Sequence, residues 1–128
     1  SLYRTITMED CLIAQNTCLQ MCVIGRGSFV GAGNTFTDFN LVDKPIRSHF
    51  GGRLEETGIT ALGSAVGHNV RIGAGMVFFP ARLVDSDVIL LPSSERRVIM
   101  RNVYWEDSDH LKLENGENLH PRLYPRDY

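Results

Sequence analysis

Lys44, Arg47, His49 and Arg53 place four basic side chains within about ten positions, with Gly51 and Gly52 between the last two. Ammonium and guanidinium groups gathered on one loop can grip phosphate oxygens through charge-assisted hydrogen bonds. Glu55 and Glu56 follow closely enough to neutralise the loop, so a solvated surface segment is the competing reading. Long segments inside compact repeats are often functional, which favours the phosphate reading.

Other chemistry finds less footing. Cys11, Cys18 and Cys22 match no zinc or redox spacing and read as buried reduced thiols, which favours a reducing, cytoplasmic compartment. The sequence has no glycine-rich phosphate loop, no Ser-His-Asp set and no basic stripe interleaved with aromatics. A net charge of −2 gives no attraction for nucleic acid or anionic lipid. No apolar run approaches the roughly 20 residues of a membrane span, and no secretory signal opens the chain. The 128 residues fit one domain, and an opening of Ser1-Leu2-Tyr3 without Met suggests a domain upstream.

The elements that must position these residues follow from a count at period six. Ile6, Leu12, Cys18, Ile24, Val30, Phe36 and Val42 are all apolar, and the same phase resumes with Val66, Ile72, Phe78, Val84 and Leu90. At the chain's apolar frequency of 43%, twelve such hits arise by chance about 4 × 10⁻⁵ of the time. Glycine often follows the aliphatic residue, as at Gly25, Gly31, Gly67 and Gly73, where a tight corner tolerates only a small or positive-φ residue. Asp10, Asn16, Cys22, Ser28, Asn34 and Asn40, four places after it, are small enough to tuck beside a corner, whereas Arg82 is a misfit in the later run.

Six residues make a short strand and a corner, and three such faces close a coil of 18. The expected coils are 6–23, 24–41, 60–77 and 78–95, with 43–59 as a loop excursion, so 1–95 reads as an all-β parallel β-helix of about four to five coils. Leu12, Ile24, Val30, Val66, Ile72 and Val84 are expected inside it. End coils need covering, and 96–128, with Val98, Ile99, Val103, Tyr104 and Trp105, reads as a C-terminal capping tail. Phe29, Leu41 and Phe79 are expected outside, as part of a subunit seam.

Several pieces together resemble the C-terminal hexapeptide-repeat domain of bifunctional sugar-1-phosphate nucleotidyltransferase/acyltransferases of the N-acetylglucosamine-1-phosphate uridyltransferase type. They are Gly31-Ala32-Gly33, Asp43-Lys44, Arg53-Leu54-Glu55-Glu56-Thr57-Gly58, Leu62-Gly63-Ser64, Val66-Gly67 and Gly73 through Pro80. The resemblance covers about half the chain, and the Arg53–Gly58 stretch followed by Leu62-Gly63 is its most specific part. It implies left-handed coils, a homotrimer with sites between neighbouring coils, and an upstream nucleotidyltransferase domain. It also implies acetyl-coenzyme A as acyl donor and an amino sugar phosphate as acceptor.

Laid on this pattern, the family's catalytic histidine falls near Gln15, its asparagine at Asp38, and one of its lysines at Arg71; Ala61 stands where a basic residue is usual. Neither Gln15 nor Asn16 can take a proton from an amine, so His49 is the candidate replacement base, with Asp38 as a candidate hydrogen-bond acceptor. Lys44, Arg47, Arg53 and Arg71 are the candidate substrate- and phosphate-binding residues. The expected function is an acyltransferase-type domain; the alternative, favoured by Gln15, is a non-catalytic trimerisation or regulatory domain of the same larger protein. The γ-class carbonic anhydrases share the fold and need three metal-binding histidines. Here only His49 and His68 lie near the coils, with His110 and His120 in the tail, so no metal is expected.

Overall fold

A hexad that spends most of its length on a corner builds strands only about two residues long. In the computed structural model the described residues are all but 1, 4, 16, 21, 37–46, 51–52, 57–62, 95 and 126–128. The chain runs through β1 (Leu2–Tyr3), β2 (Ile6–Thr7), β3 (Leu12–Ile13), β4 (Cys18–Gln20), β5 (Val23–Ile24), β6 (Phe29–Val30) and β7 (Thr35–Phe36). A hairpin of β8 (Arg47–Phe50) and β9 (Arg53–Glu56) follows. The short strands then resume as β10 (Ala65–Val66), β11 (Arg71–Ile72), β12 (Val77–Phe78), β13 (Leu83–Val84), β14 (Ile89–Leu90) and β15 (Val98–Ile99).

These strands form three parallel sheets that the chain visits in rotation. The first is β1-β4-β7-β12-β15, the second β2-β5-β10-β13 and the third β3-β6-β11-β14. Such a rotation is consistent with a parallel β-helix. Each inward column is built from one residue per strand: Ile24, Val66 and Val84 in the second sheet, Val30, Ile72 and Leu90 in the third, and Leu19, Phe36, Phe78 and Ile99 in the first. Phe36 and Phe78 stack with centroids 4.0 Å apart and planes 3° from parallel. A fully buried Val, Leu or Ile contributes about 1.5–3 kcal/mol, and each depends on the coil above and below for that burial.

The first coil departs from the expected phase. Ile6 pairs with Val23 and Leu12 with Phe29, a step of 17, whereas Ala65 pairs with Leu83 at a step of 18. The step from the inward Leu19 to Ile24 is five positions where the next two are six, so the corner after β4 is one residue short. A one-residue slip turns a strand over. Leu12 is therefore 58% exposed and Ile6 64% exposed, while Ile13 packs against the core. Leu12 was expected inside and lies outside. Leu12-Ile13 and Cys18-Leu19 are apolar doublets, so a period count fits either phase.

At the corners the two expected roles of glycine fall on different positions. Gly25 is needed for close approach: a Cβ there would lie 2.3 Å from the Gly67 carbonyl oxygen of the next coil. The left-handed conformation falls two residues later, at Gly27 (φ 68°), with Asn69 (φ 55°) and Asp87 (φ 67°) at the stacked positions. Small polar residues beside the corners tie coil to coil. The buried Asn34 amide donates to the carbonyls of Gly31 and Gly73, both at 2.8 Å, and its Oδ1 accepts the Met76 N–H at 2.7 Å. Asn34→Ala would leave the Met76 N–H and the Gly73 carbonyl without their side-chain partner, while the Gly31 carbonyl keeps the Thr17 hydroxyl at 2.8 Å, so it should cost about 2–3 kcal/mol. A shift in the urea unfolding midpoint at constant slope would measure this.

At the C-terminal edge each sheet is continued by a different device. β15 extends the first sheet on β12, and Val103 makes a single parallel bridge to Val84 in the second. On the third, side chains stand in for a strand: the Ile89 N–H donates to Ser108 Oγ and the Leu91 N–H to Asp109 Oδ2, both at 2.8 Å. The remaining tail is two 3-10 turns, Trp105–Asp107 and Asp109–Lys112, and the short helix α1, Gly116–Leu119. No described helix is long and apolar enough to cross a membrane.

Candidate functional site

The basic cluster falls where the coil is interrupted. Val23 pairs with Ala65, Phe29 with Arg71 and Thr35 with Val77, each 42 residues apart, which is one coil of 18 plus 24 inserted residues. Because 24 is a multiple of six, the phase survives the insertion. Within it β8 and β9 pair antiparallel: Arg47 with Glu56, Ser48 with Glu55, His49 with Leu54 and Phe50 with Arg53. The hairpin thus carries Arg47 and His49 on one strand and Arg53 on the other, and sets Arg47 opposite an acidic position. Asp38, Lys44 and Leu41 lie outside the described residues.

Arg71 belongs to the third sheet. It is the outward residue of β11, in register with Phe29 of β6 and Ile89 of β14. It stands exposed in a shallow groove of about 620 Å³ whose apolar walls are Leu12, Phe29, Ile89 and Leu91, with Asp10 at one side. Among the described residues no ion pair occupies its guanidinium. An exposed guanidinium within an apolar strip suits an elongated ligand that carries both an anionic group and an apolar arm. The slip of the first coil helps to make this groove, since it brings Leu12 to the outer face.

His68, His110 and His120 are engaged in structure. His68 Nδ1 accepts the Arg26 N–H at 2.8 Å, and its ring lies 4.9 Å from that of Tyr124. Beside it the exposed Arg26 guanidinium donates to Glu9 at 2.7 Å; that bond, and then one to Tyr124, raise the Arg26 pKa. His120 Nε2 lies 2.8 Å from the Asn69 carbonyl, and His110 is buried with Nδ1 2.5 Å from Ser108 Oγ. No group of three or more His, Cys, Asp or Glu among the described residues is placed to hold a metal ion.

The outer faces carry apolar rows. Ile6, Val23, Ala65 and Leu83 are in register across the second sheet, and all four are exposed. Phe29 and Phe79 are likewise exposed. Sequence reasoning missed both the groove and the tail's polar contacts with β14. The doublet Leu12-Ile13 hinted at the first; no fixed spacing announces the second. No family model matches the chain, and no curated protein matches it.

Proposed function

We propose that the chain is a left-handed hexapeptide-repeat β-helix domain of a sugar nucleotidyltransferase-related, cytoplasmic protein, and that it acts there as an acyltransferase-type homotrimer. The observation that carries this reading is a three-sheet rotation interrupted at one corner by an in-phase insertion rich in basic residues. The donor is acetyl-coenzyme A and the acceptor an amino sugar phosphate. Arg71 and the hairpin's Arg47 and Arg53, with Lys44, hold phosphates. The acceptor amine attacks the thioester carbonyl, His49 takes the proton lost by the amine and passes it to the departing thiolate so that the coenzyme leaves as its thiol, and Asp38 accepts a hydrogen bond from the acceptor. The apolar row on the second sheet supports a subunit seam.

A second reading has its own support. Gln15 stands where the resembled family has its base, and His68, His110 and His120 all have structural contacts. A non-catalytic trimerisation domain needs none of them. Isothermal titration with acetyl-coenzyme A and N-acetylglucosamine-1-phosphate separates the two, using protein whose sedimentation equilibrium gives three times 14.3 kDa. Binding is expected, and Arg71→Ala should weaken it by about 1.5–3 kcal/mol, tenfold or more. No heat with either ligand from a verified trimer would favour the scaffold; a monomer at micromolar concentration would count against the seam.

A further inference from the structure

The side-chain contacts that fasten the tail to β14 lie beside one buried imidazole, that of His110. Ser108 Oγ accepts the Ile89 N–H at 2.8 Å and donates to the Ile89 carbonyl at 3.2 Å, which uses its only proton. His110 Nδ1, 2.5 Å from the same oxygen, is then the donor. That assigns the ring proton to Nδ1 and leaves Nε2 a bare lone pair, buried and without a hydrogen-bond partner among the described residues. The His120 ring stands edge-on at 5.6 Å, with its Nε2 on the Asn69 carbonyl. We propose that His110 makes the tail an acid-sensitive latch: a proton added at Nε2 leaves the Nδ1–H bond to Ser108 in place but puts a charge in a buried site, which favours the state in which Ser108 and Asp109 have left the edge of the third sheet.

The charges around the ring oppose one another. On its own turn, Asp109 favours the imidazolium, but its carboxylate is already shared with Arg96 at 3.1 Å and Lys112 at 3.9 Å. From beyond α1 His120 acts both ways, its ring disfavouring the charged form and its backbone favouring it, and from α1 the exposed Glu117 favours the charged ring. The corner beneath holds Asp87, whose carboxylate accepts from Asn69 Nδ2 at 2.8 Å and from the Tyr124 N–H at 2.7 Å. Burial is the largest influence and lowers the His110 pKa below its usual 6.5, with the His120 ring acting in the same direction. The released state therefore binds a proton more readily than the latched one. Latching is at full strength above about pH 6.5 and weakens as pH falls from there towards the lowered value.

The test is amide hydrogen exchange at Ile89 and Leu91 in the full chain, corrected for intrinsic rates, from about pH 7.5 to 5. One extra proton in the released state should reduce protection at both amides by up to about tenfold per pH unit below the onset. His110→Phe, which keeps a ring and cannot titrate, should give protection that does not change with pH. Unchanged protection in the native chain, or the same slope in His110→Phe, would overturn the proposal. Loss at Leu91 alone would also overturn it, since that would assign the effect to Asp109. If His110→Phe does not fold, the carbon-bound ring protons of His110 in the native chain decide. A midpoint coincident with the loss of protection supports the latch, and one unrelated to it overturns it.

Discussion

Ile72→Asp is expected to leave no soluble, folded protein. Ile72 is 1% exposed and sits in a column between Val30 and Leu90, with one coil above it and one below. A carboxylate there has no partner within reach, and burying it ionised costs far more than the marginal stability of a domain this size. Stacked coils also transmit the damage, because each buries its inward residues only against its neighbours. The informative companion is Leu12→Asp. That side chain is 58% exposed, so the variant should remain soluble with an unchanged circular dichroism spectrum. The hexad count alone would rank the two together. A soluble, cooperatively unfolding Ile72→Asp protein would sink the inward assignment.

On the acyltransferase reading proposed above, His49→Ala is expected to lower acetyl transfer by about 10²–10⁴-fold while leaving affinity for acetyl-coenzyme A nearly unchanged, as for a group that acts on a proton in the transition state. The size of the effect follows from the chemistry: an amine attacking a thioester must lose a proton, and without a base that loss falls to water. A drop in affinity with turnover preserved would move His49 from chemistry to binding. Equal turnover in both proteins would remove it from the mechanism.

The three-sheet rotation was legible because period six fixes where a strand can lie, and Ile24, Val30, Phe36, Val66, Ile72, Phe78, Val84 and Leu90 keep that phase without exception. The first coil was not legible because its short corner changes the phase where apolar doublets offer both faces. The excursion could be recognised by its lost periodicity, but its true length, 24 residues, needed the pairing of Ile24 with Val66. Corner glycines were recognised by position, and of the two reasons offered for them it is small size that holds at Gly25, which yields space to the next coil's backbone, while Gly27 carries the unusual φ. The tail's hold on β14 runs through Ser108 and Asp109, whose roles exist only once residues 18 or 19 positions apart are brought together. Of the candidate site, Arg71 was identified through resemblance, while its apolar surroundings come from three separate strands and have no local signature.

The insertion also bears on how the chain folds. Pairings before it join residues 17 apart, and those between β10–β11 and β13–β14 join residues 18 apart, whereas β5–β10, β6–β11 and β7–β12 must each bridge 42. Local coils can therefore form on either side as separate nuclei, with their docking the step of greatest sequence separation. The added closure entropy is small because it grows only with the logarithm of loop length: going from 18 to 42 residues costs about 0.7 kcal/mol. That is less than the loss of one well-made buried hydrogen bond such as Asn34 makes to Met76. A corner between these sheets is thus a place where chain can be added at little thermodynamic expense, and the delay it imposes falls on the kinetics of joining the two halves.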